Sequence, residues 1–154
     1  MTLKDAVHAL VDMGADFIVI GGVSAILHGS AHLTNDLDLF FSREPENLKR
    51  IANALAPFRP RPCDFPADVP FIWDAATLRN GTVFTLDTAA GRIDLLSEVA
   101  GLGSYKEVKA ASVTAELFER VVRTLDLPDL IASKKAAGRT KDLAVVTELE
   151  GLVD

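Results

Sequence analysis

The sequence predicts an α/β fold of the α+β type: a small mixed β-sheet with helices packed against it, in one domain over residues 1–154. Two observations carry this prediction. Short apolar runs of strand length alternate with longer segments of helical periodicity, in the order helix, strand, helix, strand, helix, strand, strand and then helices. The composition, with 49% hydrophobic and 25% charged residues, is typical of a folded chain that is long enough to bury a core.

The first two elements are a helix and a short strand. Thr2 is suited to cap the helix with Asp5 in its first turn, apolar residues then recur at helical spacing, and Gly14 ends it. The run from Phe17 to Ile20 is apolar and rich in β-branched residues, which predicts a buried strand.

The next three elements begin with a pair of glycines. Gly21 and Gly22 break the strand, and "VSAILHG" has the length and composition of a short helix that Gly29 closes. After a turn, a second strand covers Asp36 to Phe41. The segment "REPENLKRIANALAPF" places its apolar residues on one helical face, which predicts an amphipathic helix.

The middle of the chain combines a loop with a hairpin. The stretch "PFRPRPCDFPADVP" is rich in proline and predicts a surface loop, and "DAATLRNG" predicts a helical turn. The segments "TVFTLDT" and "RIDLLSEV" are separated by Ala89-Ala90-Gly91, which predicts two strands joined as a hairpin.

The last third of the chain is mainly helical. A short helix is expected from Tyr105 to Ala111, and a short strand at Val121-Val122. Asp126 is suited to cap the next helix, which stops at Gly138. Thr140 is expected to cap the last helix.

Charge and cysteine content narrow the classes of function. The formal net charge of −6 and the pI near 5.0 argue against binding nucleic acid over a broad surface, but leave room for a local basic groove. Cys63 is the single cysteine, so neither an internal disulfide nor a zinc pattern is expected, and a reducing cytoplasm is the default location. The N-terminal residues do not read as a signal peptide, and no apolar run approaches the roughly 18 residues of a membrane span.

Two carboxylates interrupt the apolar second strand. Asp36 and Asp38 stand at positions i and i+2, so they point to the same face of the sheet. Asp94 lies in the second hairpin strand and completes a set of three if that strand is a neighbour. Three carboxylates suit Mg²⁺ and are enough to hold two ions for in-line phosphoryl chemistry. The alternative is that these acids form the polar side of a half-exposed strand.

The glycine pair offers a second chemical feature. Gly21 and Gly22 follow a buried strand and open a short helix, where the backbone can approach a ligand closely and the free N–H groups can bind a phosphate. The alternative is a tight turn without a ligand.

Two blocks of the sequence resemble a known family. The segment "GGVSAILHGSAHLTNDLDLFF" is similar to the strand–GG–helix and T-x-D-L-D-L region of the minimal nucleotidyltransferases of the DNA polymerase β superfamily, in the AbiEii/MenT-type toxin branch. The segment "DLIASKKAAGRTKDLAVVTELE" resembles the K-x-x-x-x-R-x-K-D segment of the same branch. Between these blocks, only "RIDLL" is similar to the family.

The resemblance implies a nucleotidyltransferase-like fold and transfer of a nucleotidyl group with two Mg²⁺ ions. Asp36 and Asp38 match the metal-binding pair, and Asp94 matches the third carboxylate, which acts as general base or as a metal ligand. The residues that match the nucleotide- and phosphate-binding positions are Gly21, Gly22, Ser24, Lys134, Arg139 and Lys141.

The chemistry of the reaction also requires cationic side chains, independently of the resemblance to the family. When a triphosphate loses pyrophosphate, the negative charge on the leaving group has to be neutralised. Lys134, Arg139 and Lys141 would supply the positive charge for this. The alternative is that they form a solvated basic helix end, favoured by the helix dipole near Gly138.

Three hypotheses follow for function. The first is a Mg²⁺-dependent transfer of a nucleoside monophosphate from an NTP such as ATP to a hydroxyl on an RNA end (for example tRNA), a protein or a small molecule, with an antitoxin protein as partner if the chain is a toxin. The second is a catalytically silent nucleotide-binding or regulatory module with the same fold. The third is a structural subunit that binds no nucleotide.

Overall fold

A seven-stranded mixed sheet runs through the chain in a computed structural model that describes residues 1–152. In chain order the strands are β1 (Phe17–Ile20), β2 (Asp36–Phe41), β3 (Arg61–Pro62), β4 (Val83–Thr88), β5 (Gly91–Leu96), β6 (Val113–Leu117) and β7 (Arg120–Thr124). Their order across the sheet is β3-β4-β5-β2-β1-β7-β6. The pairs β2–β5 and β1–β7 are parallel, and the other neighbours are antiparallel.

Seven α-helices lie within the described residues and pack against this sheet, which confirms the predicted α+β fold. In chain order they are α1 (Leu3–Asp12), α2 (Gly21–Leu27), α3 (Pro45–Leu55), α4 (Ala75–Arg79), α5 (Tyr105–Ala111), α6 (Leu127–Ala137) and α7 (Thr140–Glu150). A short 3₁₀ turn, Ala56–Phe58, follows α3. None of the helices in residues 1–152 combines the length and the apolar character that crossing a bilayer requires.

Capping explains why several elements begin and end where the sequence predicts. Thr2 and Asp5 form a reciprocal capping box at the start of α1. The Asp126 side chain accepts a hydrogen bond from the Asp129 backbone at the start of α6, and Gly138 ends that helix with a φ of +67°. The strands β1 and β2 and the helix α5 have their predicted bounds.

Two helices begin earlier than the sequence predicts, and a third is shorter. The helix α2 begins at Gly21 rather than Val23, because Gly21 adopts a φ of +66° and turns the chain directly from β1 into the helix. Thr140 is the first residue of α7 rather than its cap, and Arg139 occupies the cap position without a side-chain capping hydrogen bond. The helix α3 begins only at Pro45, whose fixed φ suits the first turn of a helix.

The structure contains two strands that the sequence analysis missed, and it extends a third. The strand β3 lies within the predicted proline-rich loop at the edge of the sheet, where Pro62 is tolerated. The strands β6 and β7 form a hairpin, of which only Val121-Val122 was predicted. Its turn residues Phe118 and Glu119 have φ values of 52° and 67°. Such a turn usually carries glycine or asparagine, so the sequence lacked the signal for it.

The sheet has an apolar core on each face. On one face, α1, α3 and α4 pack over side chains that include Val19 and Leu39. On the other face, α5, α6 and α7 pack over side chains that include Ile20 and Phe40. Because side chains alternate along a strand, Asp38 shares the face of Phe40 and lies on the side of α6 and α7.

Asn47 ties α3 to the sheet, and its loss should destabilise the fold. Its buried side chain accepts a hydrogen bond from the Asp16 N–H at 2.6 Å and donates to the carbonyls of Asp16 and Ser42 at 2.9 and 2.8 Å. Asn47→Ala is expected to lower the free energy of unfolding by about 2–3 kcal/mol, because backbone groups lose their partners. Urea denaturation measures this. Asn80→Ala, at the exposed end of α4, is the control, and an equal loss in both variants would contradict the role of Asn47.

Candidate active site

Asp38 and Asp94 lie side by side on two parallel strands. The register of β2 and β5 pairs Asp38 with Asp94, and Asp36 with Arg92. Paired residues on neighbouring strands project to the same face, about 4.8 Å apart, and Asp36 shares that face two residues away. The prediction that Asp94 joins the other two carboxylates on one face is therefore confirmed. Their catalytic and metal-binding roles stay predictions.

The Asp38 side chain is partly buried, and one of its two carboxylate oxygens has no hydrogen-bond partner. Its Oδ1 is the single buried side-chain oxygen or nitrogen within residues 1–152 that has no hydrogen-bond partner. Burial and, next, the charge of Asp94 raise the pKa of Asp38 to about 7, whereas the charge of Lys134 acts in the opposite direction. A buried acceptor without a partner costs roughly 1–3 kcal/mol. This position therefore favours a proton or a cation.

The two glycines are required by the close approach of neighbouring chain segments. A Cβ atom at Gly21 would collide with the Asp38 carboxylate, and the positive φ of Gly21 independently favours glycine. A Cβ atom at Gly22 would lie 2.9 Å from the Cβ of Thr34. Gly21 thus makes room for the partly buried Asp38 carboxylate, in addition to forming the tight turn that the sequence left as an alternative.

Three cations from the C-terminal helices face the carboxylates. Lys134 on α6, Arg139 between the helices and Lys141 on α7 line the same cavity as Asp38. The buried Asp142 accepts hydrogen bonds from Arg139 Nε at 2.6 Å and from Lys134 Nζ at 3.3 Å. Burial acts to raise the pKa of Asp142, but these hydrogen bonds outweigh it, so the pKa is lowered. Asp142 therefore stays charged and holds Lys134 and Arg139 in place.

The carboxylates and the cations line one cavity of about 280 Å³. Its charged lining residues are Asp36, Asp38, Asp94, Asp142, Arg92, Lys134, Arg139 and Lys141. This volume lies just below the roughly 300–1,000 Å³ that ligand clefts have. The lining has four acids and four bases, so it suits a polyanion that carries a bound cation better than a ligand of one charge.

Arg92 is a site residue that the sequence analysis missed. Its Nε donates a hydrogen bond to Asp94 Oδ1 at 3.3 Å, and the charge of Asp94 raises the pKa of Arg92. The signal in the sequence is the i, i+2 spacing of Arg92 and Asp94, which places both on one face of a strand.

Glu148 is a second residue that the sequence analysis missed, and it fixes the loop at the mouth of the cavity. It accepts hydrogen bonds from the Ser30 hydroxyl at 2.5 Å and the Ala31 N–H at 2.9 Å, and it contacts the His32 ring at 3.0 Å. The Ala31 hydrogen bond, followed by those of the two side chains, lowers the pKa of Glu148 to about 2. His32 and the exposed Leu33 are thereby held against the cavity. The partners are more than a hundred residues apart in sequence, so no local pattern predicts this contact.

Ser24 does not line the cavity. Its hydroxyl is fully buried and lies 2.6 Å from Thr124 Oγ1, which in turn donates a hydrogen bond to the Val19 carbonyl. Ser24 thus ties α2 to β7 and β1 in this structure, and its predicted contact with phosphate gains no support from the geometry. The spacing from Gly22 could not reveal which side of the short helix Ser24 occupies.

The carboxylates fit a hard cation by their chemistry, although they do not form a preassembled cage. Within residues 1–152, no three His, Cys, Asp or Glu side chains are grouped so that they could hold a metal ion as they stand. Asp38 nevertheless has an oxygen without a protein partner, and Asp94 lies beside it. Carboxylate oxygens are the ligands that Mg²⁺ prefers, so Asp38 and Asp94 are the residues that would hold it, with Asp36 next to them on the same face.

Neither a scan against protein-family models nor a search of curated proteins finds a match to this chain. The resemblance to nucleotidyltransferases therefore rests on the sequence motifs.

Gly21→Ala should be more destabilising than the same change at a glycine with space around it. Gly14 has a φ of +74° and no atom within 4 Å of a Cβ placed there, so Gly14→Ala reports backbone strain alone, about 1–2 kcal/mol. Gly21→Ala is expected to cost roughly 1–3 kcal/mol more, because its Cβ displaces the Asp38 carboxylate. Urea denaturation at neutral pH measures both losses. The excess should become smaller in an Asp38→Ala background, which removes the carboxylate but keeps the Cβ atom 3.1 Å away, and equal losses in the two single variants would contradict the close approach.

Asp38 should also make stability depend on pH. The folded protein keeps the Asp38 proton up to about pH 7, whereas the unfolded chain releases it near 3.8. The contribution of this group to stability is therefore complete at low pH and is lost as the pH rises through about 7. Asp38→Asn removes the dependence, so its stability relative to the wild type should grow across this interval, by on the order of 2–4 kcal/mol.

Urea titrations in EDTA between about pH 4 and pH 8 test this expectation. Asp64→Asn, in the exposed loop before α4, changes the net charge equally and should follow the wild type. A stability difference between Asp38→Asn and the wild type that stays constant with pH would contradict the raised pKa.

Proposed function

We propose that this chain is a Mg²⁺-dependent nucleotidyltransferase that moves a nucleoside monophosphate from an NTP to a hydroxyl acceptor. The observation that carries the proposal is the in-register pair of Asp38 and Asp94. The basic side chains of Lys134, Arg139 and Lys141 line the same cavity. The carboxylates offer oxygen ligands to a divalent cation, and the cations offer positive charge to a triphosphate. One cavity can thus take both parts of a metal–nucleotide complex. The resemblance adds a cytoplasmic toxin with an antitoxin partner as the biological setting.

Asp38 and Asp94, with Asp36 beside them, would hold the metal. When bound, Mg²⁺ supplies charge neutralisation at the transferring phosphate and lowers the pKa of a hydroxyl that it coordinates. A cation here gives a partner to the buried Oδ1 of Asp38 and relieves its repulsion with Asp94. Gly21 contributes by letting the chain pass Asp38 closely.

Lys134, Arg139 and Lys141 would bind the phosphates that leave as pyrophosphate. Asp142 uses one hydrogen bond of Lys134 and two of Arg139, and both side chains have further N–H groups to offer a ligand. Because Asp142 already fixes them, little reorganisation is needed when charge develops on the leaving group.

Asp94 is suited to take the proton of the acceptor hydroxyl. In the transfer, the acceptor oxygen forms a bond to the α-phosphorus, and the bond from that phosphorus to the α,β-bridging oxygen breaks. Pyrophosphate leaves with the electron pair of the broken bond, and the hydroxyl proton passes to the Asp94 carboxylate and then to solvent. Arg92 keeps Asp94 in place through its hydrogen bond of 3.3 Å.

Nucleotide binding and transfer test the proposal together. Mg²⁺ with an α,β-methylene NTP analogue should raise the melting temperature of the wild-type protein, because a ligand of the folded state stabilises it. The protein is then incubated in a cell extract with each α-³²P-labelled NTP in turn, and at least one of them should yield a labelled acceptor and pyrophosphate. Asp38→Asn should abolish the Mg²⁺-dependent part of the melting shift and lower transfer by at least about 10²–10³-fold.

Asp87→Asn is the matched control, since Asp87 is an exposed acid on β4 outside the cavity. It should leave both the melting shift and the transfer unchanged. A melting shift without transfer in any extract would instead support the silent nucleotide-binding module, and no shift at all would support a structural subunit. Full transfer activity of Asp38→Asn would contradict the assignment of the site.

A further inference from the structure

A second cavity, of about 210 Å³, meets the first one at the carboxylates. The two cavities share Asp38, Asp94, Lys134, Arg139 and Asp142. We call the first cavity the charged lobe and the second cavity the apolar lobe. The shared residues form a junction, so that Asp38 and Asp94 are open to both lobes.

The two lobes differ in chemistry beyond this junction. The charged lobe continues to Asp36, Arg92 and Lys141. The residues found only in the apolar lobe are Ile20, Gly21, Leu96, Val99, Ser133 and Ala137. Ser133 brings the one polar side chain of this set, and its hydroxyl already donates to the Leu130 carbonyl at 2.9 Å. The apolar lobe therefore offers a short, largely uncharged space that ends at two carboxylates.

An in-line transfer needs two such spaces. The attacking oxygen and the departing pyrophosphate lie on opposite sides of the α-phosphorus. Because Arg92 and Lys141 belong only to the charged lobe, the pyrophosphate fits there, which leaves the apolar lobe for the attacking group. We infer that the apolar lobe is the acceptor site, and that it takes a single hydroxyl-bearing side chain of a polypeptide. This inference rests on the proposed nucleotidyltransferase function.

The size and lining of the apolar lobe favour a side chain over an RNA end or a sugar. Its 210 Å³ is smaller than the 280 Å³ of the charged lobe, and its uncharged part is lined by only six residues. None of its lining residues is aromatic, whereas single-stranded RNA is held by aromatic stacking in a basic groove. A serine, threonine or tyrosine can lay its apolar stem against Leu96 and Val99 while its hydroxyl reaches Asp94.

The transfer step balances in this arrangement. The side-chain oxygen bonds to the α-phosphorus, its proton passes to Asp94, and pyrophosphate departs into the charged lobe with the electron pair of the bridging oxygen. The apolar stem of the acceptor fills the lobe and excludes water, which limits hydrolysis of the NTP.

Variants that fill the apolar lobe test this inference. Ala137→Leu and Val99→Phe add apolar volume at two separate lining positions, so that the test survives if one of them fails to fold. Ala144→Leu is the control, because Ala144 is exposed on α7 and lines neither lobe. Each variant is assayed for the melting shift with Mg²⁺ and the α,β-methylene NTP analogue, and for label transfer from α-³²P-labelled NTP in extract.

The labelled product is divided into samples treated with protease or with ribonuclease. We expect the filled variants to keep the melting shift and to lose transfer by at least about tenfold, with Ala144→Leu unchanged and the label sensitive to protease. Loss of the melting shift in the filled variants would place the nucleotide in this lobe and overturn the inference. Retained transfer, or label in RNA or in a small molecule, would also overturn it. A wild-type protein without any melting shift would instead defeat the proposed function.

Discussion

The repulsion between Asp38 and Asp94 is the constraint on which the site depends. The parallel register of β2 and β5 places the two carboxylates side by side, and burial together with the charge of Asp94 raises the pKa of Asp38 to about 7. The neighbouring residues each reduce the cost of this arrangement. Gly21 leaves space for the Asp38 carboxylate, Arg92 binds Asp94, and the positive charge of Lys134 favours ionised Asp38. None of them gives a hydrogen-bond partner to Asp38 Oδ1, which favours a proton or a cation at this position.

The cations opposite depend on a different buried acid. Asp142 lies between Lys134 and Arg139 and is charged because these two residues bind it. The fold therefore contains two carboxylate centres with opposite behaviour: Asp142 is stabilised as an anion by protein groups, whereas Asp38 is not. A ligand that brings its own cation would stabilise Asp38, and its anionic part would then meet the side chains that Asp142 holds. The pairing of these two centres is why a metal–nucleotide complex suits the cavity better than a metal or a nucleotide alone.

Local patterns in the sequence predicted the elements that local chemistry determines. Capping by Thr2 and Asp126, the apolar run of β1 and the alternation around Asp36 and Asp38 were sufficient for their elements. The β6–β7 hairpin was missed because its turn uses Phe118 rather than glycine. Contacts between segments that are distant in sequence could not be predicted either. The bond of Ser24 to Thr124 and the clamp of Glu148 on the loop before β2 depend on tertiary packing, which no spacing encodes.

The Asp38 carboxyl without a full set of partners also bears on what the protein does. A module selected only for stability, or only for binding nucleotide through Lys134 and Arg139, has no need for a partly buried acid whose pKa is raised to about 7. An asparagine or an apolar residue at position 38 would serve such a module at lower cost, since a strained or destabilised group persists where function requires it. Asp38 is useful only if its negative charge is used, and a cation between it and Asp94 uses that charge. The cost of a carboxyl oxygen without a protein partner is thus the physical reason to propose a protein that uses a divalent cation rather than a purely structural subunit.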